Sequence, residues 1–296
     1  MSQLLDDRAP PGHSAISNRH VTMNAFEYLS EAFVRRFWDV ELKYPLKVGF
    51  LTAFSVDGFI SVINPYLRLE KLKQHLRNVV GRSGLNGVFI VEGTPFRDAI
   101  FEVPGRHASI HFHGPVWSYD EQCDFREIEQ SARSVFTDWL GIPGFRLTTR
   151  RDFCSKELRR GRSVDDWAPQ TTPDDLCFLI AYSLKHVAEM KQVKVDRDNP
   201  FKYVLENDKG VSQKLALQMA RIRSYISPYD AVFSVGQGKH IRAPYAKSMR
   251  EWETSLAFRN SLEPGFDLDV FWRAVDRLNP RAGLGKSHIF ANYKDG

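Results

Sequence analysis

The stretch "ASIHFHGPVW" (Ala108–Trp117) sets two histidines, His111 and His113, on either side of Phe112. On an extended strand, side chains alternate between faces, so the two imidazoles share one face and can converge on one cation. Phe112 then points the other way and can anchor the strand in a core. A hard divalent ion held by two imidazoles usually takes a carboxylate as well. Two acids are candidates: Glu92, which closes "VFIVEG", and Glu102, across a hairpin expected around Pro104 and Gly105. His107 has the parity of the pair but falls at the expected turn, and is not counted as a ligand.

A second set of reactive residues lies in "FLIAYSLKHVAEMK" (Phe178–Lys191). Tyr182 and Lys185 stand three apart on an expected helix and so share a face. A phenol with a pKa of about 10 is a weak nucleophile near neutrality. A neighbouring ammonium or a metal-bound phosphate makes the phenolate accessible. Between the histidines and this helix, "TTRRDFCSKELRRGR" carries Arg150, Arg151, Lys156, Arg159, Arg160 and Arg162 against only Asp152 and Glu157. These cations, and the helix around Lys214, Arg221 and Arg223, are candidates for gripping a phosphate backbone. Trp117, Trp139 and Trp167 can stack on bases or fill a core.

The elements that must position these residues follow from periodicity. "AFEYLSEAFVRRFWDVELK" (Ala25–Lys43) has apolar residues at helical spacing and precedes Pro45, after a loose arm over residues 1–22. "LKVGFLTAFSV" (Leu46–Val56) reads as a strand ended by "DG", and "NGVFIVEGTP" (Asn86–Pro95) as another. Between them "LRLEKLKQHLRNVVGRSG" is a basic amphipathic helix ending at Gly81 or Gly84. "DAIFEVPGRHASIHFHGPVW" reads as a hairpin, and "DEQCDFREIEQSARSVFTDWLG" as a helix ended by Gly141. Thr172-Pro173-Asp174-Asp175 is a helix start. This order favours an α+β fold with an antiparallel sheet flanked by helices.

With 296 residues, 43% hydrophobic and 26% charged, the chain has the composition of a globular protein. Its net charge of +5 suits a phosphate-bearing partner. Cys123, Cys154 and Cys177 are widely spaced and form no CxxC, which argues for a reduced protein and against a thiolate zinc site. No apolar run is long enough for a signal peptide or a membrane span, so the expected location is the cytoplasm. "RAGLGKS" (Arg281–Ser287) imitates a phosphate loop, but Pro280 stands where its first glycine belongs.

Taken in order, "VGFLTAFS" (Val48–Ser55), "IHFHGPVW" (Ile110–Trp117) and "AYSLKHV" (Ala181–Val187) resemble the three motifs of the HUH endonucleases, in their rolling-circle replication initiator (Rep) branch. The resemblance covers roughly residues 46–190. It implies a five-stranded antiparallel sheet with flanking helices; beyond it, the residues themselves read as a mainly helical C-terminal region. With the rest of the chain read from its residues, the expected organisation is an arm and helix over 1–45, a nuclease domain over 46–200, and a DNA-binding or bracing region over 201–296. His111 and His113 would bind Mg2+ or Mn2+ with a nearby acid. Family spacing favours Glu102 for that acid, and local context favours Glu92. Tyr182 would attack single-stranded or hairpin DNA at a plasmid or phage origin, leaving a 5′-phosphotyrosine link and a free 3′-hydroxyl, with Lys185 steadying the charge. Host replication proteins are further partners, and no membrane is involved. Relaxases and transposases share this chemistry. A cupin metalloenzyme is the competing class, from Gly105 followed by HxH, although Trp117 and Ser118 stand where its glutamate is due.

Overall fold

The computed structural model describes residues 19–39, 47–62, 67–97, 107–120, 122–138, 143–149, 191–195, 197–198, 203–207, positions 215, 218–219 and 222–223, and 226–254. Within them the protein is α+β. Helix α1 (Arg19–Asp39) leads to strand β1 (Lys47–Ser61), helix α2 (Leu69–Arg82), and strands β2 (Asn86–Arg97) and β3 (His107–Ser118). Helix α3 (Phe125–Ala132), strand β4 (Phe145–Thr149) and strands β5 (Lys191–Val195) and β6 (Tyr203–Asn207) follow. A short helix α4 (Pro228–Ala231), strand β7 (Val232–Val235), one 3-10 turn and helix α5 (Lys239–Thr254) complete the order.

Five strands form an antiparallel sheet, as expected, and their order is β4-β1-β3-β2-β7. The β5–β6 hairpin extends it, through a short parallel pairing of Phe96 and Arg97 with Lys191 and Gln192. β3 lies at the centre of the five. Its neighbours are β1 on one edge and β2 on the other, and the β2 register runs from Asn86↔Trp117 to Phe96↔His107. Along His107–Trp117 the partner of β3 on that edge is β2; the hairpin arm expected over residues 98–103 lies outside the described residues. Strand β7, from beyond residue 200, pairs with Gly87–Ile90 of β2.

Each face of the sheet carries its own core. Leu51, Ala53, Phe89, Val91, Ile110, Phe112 and Val116 pack on one face with Leu72, Leu76 and Val80 of α2 and Phe125 of α3. Val48, Val88, Ile90 and Trp117 pack on the other with Leu29 and Phe33 of α1 and Ile241, Tyr245 and Met249 of α5. The period of two is therefore kept on β1, β2 and β3 together. Phe112 is 2% exposed and meets the Phe233 ring edge-on at 5.1 Å. Trp117 is 1% exposed and takes the rings of Phe33 and Phe37, so it is a core residue and not a base-stacking platform.

Several boundaries differ from the sequence reading. α1 starts at Arg19, inside the expected arm, because Val21 is buried in the α1–α5 core. β1 does not stop at "DG" but continues to Ser61 through a bulge between Phe54 and Phe59. The bulge brings the backbone of Gly58 against β3: a Cβ there would stand 2.2 Å from the carbonyl oxygen of Ile110. Glycine thus serves close approach at this point, and not a turn. α2 ends at Arg82, with Gly84 at φ +68° just beyond, where a side chain would strain. α3 is a short helix capped by Asp124, whose carboxylate accepts from the Arg126 N–H at 2.7 Å. β4 is a strand that sequence reading passed over. The expected helix over 173–191 lies outside the described residues, except that Lys191 already belongs to β5.

Lys73 faces α4, the short helix that leads into β7. Its side chain is buried, pairs with Glu70 at 2.6 Å and faces Asp230 at 3.9 Å. The hydrogen bond from Lys73 holds the Glu70 carboxyl below its ordinary pKa.

Replacing Phe112 by alanine removes a packed ring from the face opposite the histidines. The expected loss is about 3–5 kcal/mol of stability. Urea unfolding followed by tryptophan fluorescence measures it.

Candidate metal centre

The register of the central strands assembles the site. Glu92 of β2 stands directly opposite His111 of β3, and Thr52 of β1 stands opposite His113. Partners across a sheet point to the same face, so all four side chains rise from the face that carries α1 and α5. They continue the rows of Val88 and Ile90 on β2 and of Trp117 on β3, beyond the apolar core.

Three donor atoms meet there. Glu92 Oε2 is 2.7 Å from His113 Nε2 and 3.6 Å from His111 Nε2. One ligand atom from each residue falls within 4.8 Å of the others, which makes Glu92, His111 and His113 a group able to hold a metal ion. Atoms about 2.1 Å from an ion and at right angles to each other are about 3 Å apart, so the observed spacing fits. Glu92 is 5% exposed and His113 9%. A carboxylate removed from water to that degree costs several kcal/mol unless positive charge compensates it. A divalent cation between these donors would supply that charge.

The imidazoles are held from behind. His111 Nδ1 lies 3.1 Å from the carbonyl oxygen of Ser109. A carbonyl only accepts, so Nδ1 carries a proton, and in the neutral ring Nε2 is then the atom able to bind a cation. His113 Nδ1 lies 2.9 Å from Thr52 Oγ1. The rings stand edge to face, with centroids 4.6 Å apart, and Phe50 stacks on the His113 ring at 5.7 Å and 20°. Hydrogen-bonded second nitrogens of this kind set the tautomer and orientation of metal-binding histidines.

The donor set of two nitrogens and one oxygen suits several first-row divalent ions as well as Mg2+. In six-fold coordination it leaves positions for water or a substrate oxygen. Two neutral imidazoles and one carboxylate beneath a dication leave a net charge of about +1, which favours an anionic ligand.

The other expected residues divide clearly. Glu92, His111 and His113 are brought together. His107 begins β3 on the same face, but its ring lies beside Phe59 at 6.4 Å and it is not in the ligand group. Arg223 Nη2 donates to the Gly93 carbonyl on the edge of β2 at 3.3 Å. Glu102, Tyr182, Lys185, Arg150, Arg151, Lys156, Arg159, Arg160 and Arg162 lie outside the described residues, as do Lys214, Arg221, Trp139 and Trp167. Sequence reading missed the ring of Phe50 and the hydroxyl of Thr52 as supports of His113. Their two-residue spacing on β1 was the signal that could have found them. No helix among the described residues is long and apolar enough to cross a membrane.

Comparison of the chain with protein-family models, with curated proteins and with solved structures found no match.

Glu92→Gln keeps the shape of the side chain and removes its charge. Mn2+ affinity, read by paramagnetic resonance of the free ion, is expected to fall in this variant and in His111→Ala. The fall should exceed the about 10–100-fold that loss of a supporting hydrogen bond costs.

Proposed function

We propose that the protein is a metal-dependent endonuclease and strand transferase of the HUH type, which nicks and rejoins single-stranded DNA to initiate rolling-circle replication. The observation that carries this reading is the meeting of Glu92 with the Nε2 atoms of His111 and His113 on the two central strands. An α+β fold with five antiparallel strands is the framework such an enzyme requires, and the chain has one. The position of Phe112 supports it too, since the bulky residue between the histidines is buried on the opposite face.

The ion, Mg2+ or Mn2+ in this proposal, supplies Lewis-acid polarisation of the scissile phosphate. His111, His113 and Glu92 bind and orient it. Tyr182 is the nucleophile: its phenolate oxygen forms a bond to phosphorus as the bond to the 3′-oxygen breaks. The departing oxygen takes up a proton and becomes a free 3′-hydroxyl, while the 5′-phosphate stays on the tyrosine. One phosphodiester is exchanged for another, so a 3′-hydroxyl can reverse the step. Lys185, three residues after Tyr182 in the chain, would steady the phenolate. Arg150, Arg151, Lys156, Arg159, Arg160 and Arg162 would track the DNA backbone.

An initiator is preferred to a relaxase because the YxxK motif follows the histidines in the chain. The cupin alternative asks for a glutamate close to residue 117, and Trp117 is packed between α1 rings there.

Incubation with a labelled single-stranded origin oligonucleotide and Mn2+ should give a covalent adduct on Tyr182, and Tyr182→Phe should give none. An undiminished adduct in that variant would refute the mechanism. Neutralising Arg159 and Arg160 should weaken DNA binding and reduce the salt slope by about 1 for each phosphate that is no longer neutralised. Fluorescence anisotropy over a salt series reads that change.

A further inference from the structure

The motif "FLT" (Phe50–Thr52) lies on β1. Its threonine touches the site. Thr52 is the cross-strand partner of His113, and its Oγ1 lies 2.9 Å from His113 Nδ1. Two residues earlier, on the same face, the Phe50 ring lies nearly parallel to the same imidazole. β1 therefore grips His113 at one nitrogen and across one ring face, and contributes no metal ligand of its own.

We propose that Thr52 is the positioning residue for His113, holding Nδ1 so that Nε2 presents its lone pair to a divalent ion beside Glu92. The inference rests on the metal-binding reading of the site. It follows from a difference between the two histidines. His111 Nδ1 faces the Ser109 carbonyl, which only accepts, so its tautomer is set by the backbone. His113 Nδ1 faces a hydroxyl, which both donates and accepts. His113 Nε2 is 2.7 Å from Glu92 Oε2, so with its proton on Nε2 the ring donates to the carboxylate. The Thr52 hydroxyl then donates to Nδ1. With a cation at Nε2 the same proton sits on Nδ1 and donates to Thr52 Oγ1. One rotation of a hydroxyl accommodates both arrangements without moving the ring. An apolar residue at position 52 satisfies neither. It would leave a buried imidazole nitrogen without a partner whenever Nε2 faces the ion.

Thr52 also explains the form of the motif. Leu51 and Ala53 fill the core on the opposite face, and Phe50 and Thr52 serve the histidine. The alternation of β1 thus matches that of "HFH" on β3. Both strands give one face to packing and the other to the site.

The test compares the full-length wild type with Thr52→Val, which keeps shape and removes the hydroxyl, and with Thr52→Ser, which keeps the hydroxyl. Thr52→Ala serves as a second deletion should valine disturb the fold. Free Mn2+ is counted by paramagnetic resonance, and thermal unfolding is recorded for each protein. Mn2+ affinity should fall about 10–100-fold in the valine and alanine variants, with most of it recovered in the serine variant. Nitrogen NMR of the imidazoles with Mg2+ should show His113 losing its single Nδ1–H tautomer in Thr52→Val, while His111 keeps its own. Equal Mn2+ affinity in wild type and Thr52→Val overturns the proposal and leaves the metal site standing, and so does a serine variant as weak as the valine one. A wild type that binds no Mn2+ overturns the metal reading and this inference together.

Discussion

Everything at the candidate centre depends on one constraint, the strict alternation of side chains along β3 between two strands that fix its register. β2 places Glu92 opposite His111, and β1 places Thr52 opposite His113. A slip of one residue of β2 or β1 against β3 would send Glu92 or Thr52 to the far face, away from the histidines. Phe112 guards against that slip, because its ring is seated against Phe233 on the packed side. The hydrophobic anchoring of one face is what makes the polar geometry of the other reproducible.

The same constraint explains why the site is built from the sheet and not from loops. Donor atoms that must meet within a few ångströms need backbones that do not drift, and the centre of a sheet is the stiffest place the chain offers. The cost is desolvation of Glu92, which sits almost out of water. The site tolerates it through the two imidazoles and, in the proposed function, the cation they share. The supports are asymmetric, a backbone carbonyl behind His111 and a side-chain hydroxyl behind His113. A mutation can therefore reach the second hydrogen bond but not the first.

Much of the framework was legible in the chain. Period-two patterns marked β1, β2 and β3, and helical spacing marked α1 and α2, because each buries a single face. The errors fell where tertiary contact overrides local chemistry. "DG" at Asp57–Gly58 looked like a turn and is a bulge, since Gly58 is pressed against the Ile110 carbonyl. The strand opposite the histidines was sought in residues 98–103, next to the presumed turn. β2 already fills that edge. β4 is short and followed by cations, so its pattern was too brief to stand out.

The sequence by itself determined that His111 and His113 share a face and that Phe112 opposes them, because strand geometry leaves no other choice once β3 is extended. It also determined that an acid from this region had to be near them if they hold a hard ion. It left Glu92 and Glu102 both open. Tertiary structure decided what strand pairing alone can decide. Register brought Glu92 to 2.7 Å from His113 Nε2 across some twenty residues of chain, and brought Thr52 to the ring's other nitrogen from a strand sixty-one positions away. Separation along the chain says nothing about proximity across a sheet, where neighbours are chosen by hydrogen-bonded register and by which face has a core to fill.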